Sequence, residues 1–332
     1  MPRITAIAPE LALPGARVDL HGAFDPSAGV PRVTAGDAPA RVVWASTGRL
    51  GILLPDEAPG GPLPLRVAGV PGETPLVTVG TVVATGLHQV DSPAIGADGT
   101  LYLTYSGGRG QTAPVSIYRV PPGGEREVFV TGLTNPTSLA FDGQGRLHVS
   151  SRFDGTVSRI DAEGQAEVIA GELGVACGIA FDAAGALYVG DRSGTVFRVA
   201  PDGEVRALAT LPPSVAAFHL VTAPGGGLYA TGPTLAPRDA VYRVDTEGGV
   251  HVISRAFGRP QGLAVDTSGR LYVAEALAGS SGLYRLDEGD PELIVSGADI
   301  IGAAFDPQGG LVVATADTAY RFDRVAIPAA RR

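Results

Sequence analysis

Short apolar runs rich in Val, Leu, Ile and Tyr alternate with turns made of Asp, Gly and Pro over most of the chain, and no stretch carries a helical period. Residues 260–295 give the unit clearly. Gly262-Leu-Ala-Val265 is a short strand, Asp266-Thr-Ser-Gly269 a tight turn, Leu271-Tyr-Val-Ala274 a second strand and Gly282-Leu-Tyr-Arg-Leu286 a third. Asp287-Glu-Gly-Asp290 turns again before Glu292-Leu-Ile-Val295. The same Asp-x-x-Gly turn stands at Asp142–Gly145, Asp182–Gly185 and Asp306–Gly309, so the pattern predicts repeated four-strand units.

The second strand of each unit serves as an anchor. It reads Leu101-Tyr-Leu103, Leu147-His-Val149, Leu187-Tyr-Val189, Leu228-Tyr-Ala230, Leu271-Tyr-Val273 and Leu311-Val-Val313, at intervals of 46, 40, 41, 43 and 40 residues. Strand repeats of this length mean propeller blades or a similar array, because one unit cannot bury its own faces. The sixth copy lacks a clear fourth strand, and Thr81-Val-Val-Ala-Thr-Gly-Leu87 resembles the fourth strand Glu127-Val-Phe-Val-Thr-Gly-Leu133. Residues 81–87 are therefore expected to close a six-bladed ring.

Residues 1–80 lack the repeat. Ile4-Thr-Ala-Ile-Ala-Pro9, Pro14-Gly15, Val18-Asp-Leu-His-Gly22 and Gly60-Gly-Pro-Leu-Pro-Leu-Arg-Val67 alternate strand and turn as a small sandwich does. They resemble the IPT/TIG immunoglobulin-like domain over nearly all of residues 3–79, which implies a spacer or interaction module. The two expected domains are thus 1–80, an Ig-like sandwich, and 81–332, a six-bladed propeller. Within the second, Pro260-Gln-Gly-Leu-Ala-Val-Asp-Thr-Ser-Gly-Arg-Leu-Tyr-Val-Ala274 looks like the NHL repeat and equally like the repeat of SMP-30/gluconolactonase-like propellers.

Composition narrows the function. The net charge of −9 argues against nucleic acid and anionic membranes. No apolar run is long enough to span a bilayer, and residues 1–30 show no secretory pattern, so the expectation is cytoplasmic. The single cysteine, Cys177, excludes an intrachain disulfide. All 25 basic residues are arginine, which removes lysine Schiff-base and Ser-Lys chemistry.

The gluconolactonase resemblance implies a divalent cation, Ca or Mg, in the central channel, held by a Glu, two Asn and an Asp from different blades. This chain departs from that set. It has one asparagine, Asn135, and the equivalent inner-strand positions read Asp91, Ser92 or Pro93, then Thr137, Cys177, Phe218, Gln261 and Ile301. The alternative cation ligands are Asp91 and Asp299. His219 begins the inner strand of the fourth copy and is either a general base or a hydrogen-bonded loop histidine. Glu275 is either an acid–base group or the cap of its strand end, and Cys177 either a nucleophile or a small core residue. His148 stands in a tyrosine column and reads as packing. The arginine column Arg119, Arg159, Arg198, Arg243, Arg285 and Arg321 recurs in every copy and reads as scaffold.

Departures from the repeat are the better clues to a site. Long loops at 106–114 and 232–239 and the second-strand ends place Arg109, Gln111, Arg152, Arg192 and Arg238 around the expected mouth, with Thr137, Cys177, Phe218 and Gln261 lining it. Two readings follow. One is a non-catalytic propeller binding a small molecule or protein segment at the mouth. The other is a hydrolase or lyase of the lactonase-like group with a rearranged site of His219, Asp91, Glu275 and Gln261.

Overall fold

The Asp-x-x-Gly turns explain how runs so short become regular sheets. In a computed structural model, which describes residues 3–25, 27, 29–72, 74–277, 279–287 and 290–323, Oδ1 of Asp266 accepts from the Ser268 and Arg270 amides, while Oδ2 accepts from Arg270 Nε and Tyr272 Oη. Asp142, Asp182 and Asp306 make the same pair of backbone bonds. The closing glycines sit at positive φ, 82° for Gly269, which a side chain would strain. In the turn after Leu286, Glu288 and Gly289 lie outside the described residues, as do 324–332.

The fold is all-β with a propeller arrangement, and no α-helix occurs among the described residues. Five four-stranded sheets stand separately. Four of them start from the inner strands Ala94–Ile95, Pro136–Phe141, Ala176–Phe181 and His219–Thr222. The remaining one runs Ile300–Phe305, Leu311–Thr315, Ala319–Phe322 and then Thr81–Ala84, which pairs antiparallel with Ala319–Phe322. The strands of the fifth repeat, Pro260–Val265 to Glu292–Ser296, pair in the same order at the end of a twelve-stranded sheet. The rest of that sheet is residues 3–79. Leu11–Ala12 bridges the two parts, running parallel to both Leu76–Val79 and Glu292–Ser296.

Apolar side chains of consecutive repeats are buried in shared cores. Leu101 and Leu103 pack on Val312 and Ala319, Leu147 and Val149 on Ile117 and Val130, and Val157 on Ile179 and Val189. Tyr188 and Val196 face Leu228 and Ala230, Val241 and Phe257 face Leu263 and Val273, and Tyr272 and Ala274 face Leu311 and Val313. Residues 3–79 have their own core around Val18, Leu20, Leu50, Ile52 and Leu65.

Two of the expected structural roles hold in detail, one with a changed partner. His148 is buried against the Phe181 ring, 4.6 Å between centroids, and its Nδ1 lies 3.0 Å from the Arg146 carbonyl. In the arginine column Arg119, Arg159 and Arg285 pair across strands with Glu127, Glu167 and Glu292, Arg285 and Arg321 meet the turn acids Asp287 and Asp306, and Arg243 donates to the Gly226 and Val244 carbonyls.

Burial is the main influence on His148 and holds its pKa below the ordinary value of about 6.5. Its unfolded form therefore takes up a proton first, and stability falls as pH drops below about 6.5. His148→Tyr would give the hydroxyl that Tyr188 and Tyr272 direct at their turn aspartates. The variant is expected to lose less stability than the parent between pH 7.5 and 5.5, measured as urea midpoints. Asp266→Ala, which leaves two turn amides and a buried tyrosine hydroxyl unpaired, should cost about 2–4 kcal/mol in the same assay.

Candidate functional site

Strand register makes the six inner strands comparable. Ala94, Ala140, Ala180, Val221, Ala264 and Ala304 each pair with the residue that follows the anchor leucine. Three residues earlier stand Asp91, Thr137, Cys177, Phe218, Gln261 and Ile301, which settles Asp91 as the first member of the mouth column. Two residues earlier stand Ser92, Ser138, Gly178, His219, Gly262 and Gly302. This second column favours small residues because neighbouring inner strands touch there: a Cβ on Gly178 would lie 2.6 Å from the Phe218 carbonyl oxygen. His219 is the one bulky member.

The imidazole has a specific partner. Its Nδ1 lies 2.7 Å from Oδ1 of Asp91, and both side chains are buried. Asp91 also accepts the Ser92 amide at 2.7 Å. A carboxylate can only accept here, so Nδ1 carries a proton, and in the neutral ring Nε2 carries the lone pair. Nε2 is buried and has no hydrogen-bond partner among the described residues; the same is true of both amide atoms of Gln89, two residues before Asp91, and of Ser106 Oγ. An unpaired buried polar atom costs about 1–3 kcal/mol, a cost that a ligand group bonding to it would remove.

The other expected site residues divide sharply. Arg109, Arg152 and Arg192 line one cavity of about 650 Å³ together with Asn135, Phe153, Asp191 and Ser214. Gln111 and Arg238 are exposed and do not line it; Arg238 donates to the Ala256 carbonyl at 2.7 Å. Thr137 is buried and donates to the Asn135 carbonyl. Phe218 is buried in the core between the third and fourth repeats, and Gln261 is half-buried.

Glu275 is corrected to a structural role. Its carboxylate accepts from the amides of Gly258, Arg259 and Leu277 at 2.6–2.9 Å, which occupies both oxygens and caps the strand end. Cys177 is likewise no nucleophile: it is fully buried, and desolvation pushes its thiol up to about 11. Asp299 is not brought to Asp91. It lines a separate cleft with Arg17, Asp19 and Arg49 from the N-terminal part.

A gluconolactonase-type cation does not fit these donors. Asn135 has its side chain fully used, with Nδ2 donating to the Ser106 and Gly108 carbonyls and Oδ1 accepting from the Gly110 amide. In the mouth column Phe218 and Ile301 bring no donor atom, Cys177 a protonated thiol and Thr137 an occupied hydroxyl, and among the described residues no group of three or more His, Cys, Asp or Glu gathers. The residue that sequence reasoning missed is Asn135. Its signal was its uniqueness in the chain, and its work is to hold the 106–110 loop.

Because Cys177 stays protonated and sealed, the native protein is expected to resist a thiol-specific reagent at pH 8 and to react with one equivalent once unfolded in guanidinium. Rapid native labelling would contradict its placement. Glu275→Gln keeps an acceptor but loses the charge that the three amides favour, and should lower stability by about 1–3 kcal/mol, read from a chemical melt, while leaving any turnover intact.

No known protein family's sequence profile matches this chain, and no curated protein matches it by sequence. Solved structures do. A gluconolactonase of Xanthomonas campestris is 18% identical with a TM-score of 0.61, covering 88% of this chain and 97% of that one. Virginiamycin B lyase of Staphylococcus aureus is 13% identical with a TM-score of 0.52, over 88% and 94% of the two chains. An auxiliary nutrient binding protein of Bacteroides ovatus, 14% identical with a TM-score of 0.54, matches over 97% of each chain. At this identity the likeness is one of fold, and the chain shares the β-propeller arrangement of gluconolactonase-like proteins.

Proposed function

We propose that this protein is an enzyme of the hydrolase or lyase type that acts on a small molecule at the mouth of its propeller, with His219 as the acid–base group and Asp91 as the residue that positions it. The observation that carries the reading is the buried His219–Asp91 pair with Nε2 left unpartnered. Asp91 fixes the tautomer and orientation of the ring, and its charge favours the imidazolium formed when Nε2 takes a proton. That proton comes from water attacking a lactone or ester, or from a substrate carbon in an elimination. The pair joins residues far apart in sequence, in the first and fourth repeats, and His219 stands where packing favours glycine. A scaffold has no need of either feature. The fold neighbours lend support, since they include a gluconolactonase and a lyase described as catalytically inactive when a histidine is changed to alanine.

The proposed frame is a six-bladed ring of residues 81–332, built from NHL-like repeats, preceded by an IPT/TIG-like sandwich over residues 1–80. Support for the count comes from the cores between consecutive repeats, which run in turn from the first to the sixth and back to the first. The strands of the fifth repeat then form a blade whose outer edge the N-terminal unit has joined. In such a ring the first and fourth blades face each other, so the His219–Asp91 bond crosses the axis.

Assay against a panel of lactones, esters and elimination substrates tests the proposal. His219→Ala should lower kcat/KM by about 10²–10⁴-fold on whichever substrate turns over. Asp91→Asn retains an oxygen acceptor for Nδ1–H, so it should fold and still lose activity severely. If both variants melt early but keep full kcat, the pair is a structural pin and the catalytic reading fails.

A further inference from the structure

Three arginines share the lining of the 650 Å³ cavity. Arg109, Arg152 and Arg192 line it, and among the described residues none of the three forms an ion pair. Asp191, the one acidic residue among the described lining, is already occupied: its Oδ1 accepts the Val175 amide at 2.7 Å and its Oδ2 takes the Ser193 hydroxyl. Arg152 is half-buried, and besides that burial the charges of Arg192 and Arg109 weigh against its protonated form. With three guanidinium groups against one carboxylate the lining keeps an excess of positive charge, which is unfavourable to folding. In a chain of net charge −9 such a spot stands out.

The scaffold does not require these arginines. Arg152 and Arg192 directly follow the second strands Leu147–Ser151 and Leu187–Asp191 of adjacent repeats. The same place, five residues after the anchor leucine, is Ser106, Pro233, Ala276 and Ala316 in the other four repeats. Arg109 arrives by a different device. Asn135, fully buried and at φ 45°, bonds the Ser106 and Gly108 carbonyls and the Gly110 amide, so the loop that carries Arg109 is fastened over the cavity. Gly110 packs on the ring of Phe153, whose side chain lines the cavity while 54% of the residue stays exposed.

We propose that this cavity binds a small organic anion of charge two or more, a phosphate ester or a polycarboxylate, through the guanidinium groups of Arg109, Arg152 and Arg192, with the ligand's carbon skeleton against Phe153. Planar guanidinium forks match carboxylate and phosphate oxygens bidentately, which explains arginine at each position. Ala216 of the lining stands three residues before His219, and Cys177, in the mouth column with Asp91, feels the charge of Arg152. The inference names the substrate class of the mouth described under the proposed function. It rests on that mouth being the ligand face and not on the chemistry of His219.

Calorimetric titration of the full chain at low salt, with phenyl phosphate, methyl phosphate, citrate and neutral benzyl alcohol, tests it. Saturable binding of at least one dianion is expected, with no binding of benzyl alcohol. Affinity should fall at least tenfold in Arg152→Ala, and further in Arg152→Ala/Arg192→Ala. Preference for phenyl phosphate over citrate would identify a phosphate ester, and the reverse a polycarboxylate. Phe153→Ala should erase the advantage of phenyl over methyl phosphate. Arg109→Ala, on a surface loop, reports on the site even if the double variant fails to fold. Binding is read by calorimetry and turnover by assay of the substrate panel, so loss of anion binding and loss of catalysis are separate results. Absence of saturation with every anion, or unchanged affinity in Arg109→Ala and Arg152→Ala, overturns the proposal.

Discussion

Pairing of Thr81–Ala84 with Ala319–Phe322 is the constraint on which the arrangement depends. A repeat array of this kind has two raw ends, each an exposed apolar face. Here the first strand of the array completes the last sheet, so the core between the sixth and first repeats contains Ala84 and Leu87 from one end of the sequence and Val312 and Ala319 from the other. Closure also removes freedom from the middle. Each inner strand meets a neighbour on both sides, and the tolerance at those contacts is small enough that Gly178, Gly262 and Gly302 have backbone atoms of the next repeat in van der Waals range.

Against such uniform packing, a residue that breaks a column must find room and partners of its own. His219 does so by reaching Asp91, a member of the neighbouring column in a different repeat. The arginines after two adjacent second strands, and the long loop pinned by Asn135, break other columns on the same side of the molecule. Polar side chains with no part in the repeated scaffold are thus concentrated where equivalence fails. Where equivalence holds, polar groups serve the scaffold: Asp142, Asp182, Asp266 and Asp306 each organise a turn, and Arg119, Arg159 and Arg285 pair across strands.

Strands, turns and the repeat itself were legible because each depends on local chemistry that the sequence spells out in every copy. Glu275 shows the limit. As a titratable group at a strand end near the mouth it has the right address, and only the three amides of Gly258, Arg259 and Leu277 reveal its role. Asp299 failed for the opposite reason: its position in the repeat gives no hint that residues 3–79 lie against it. Arg109, Arg152 and Arg192 were named singly as rim residues, but their convergence depends on a loop conformation set by one asparagine. The partnership of His219 with Asp91 is set by ring geometry, which no local pattern encodes.

The parallel strand Leu11–Ala12 has a mechanical meaning. Its main chain bonds to Glu292–Ser296 on one side and Leu76–Val79 on the other, and Leu13 enters the core between the fifth and sixth repeats. One perimeter edge is thereby saturated by the protein's own backbone, while Val128, Val168 and Val205 on the corresponding strands of other repeats keep their side chains in water. Self-association by strand addition is accordingly barred at that edge, and a load applied to residues 3–79 is carried by hydrogen-bonded backbone into the sheet of the fifth repeat rather than taken up by a slack tether.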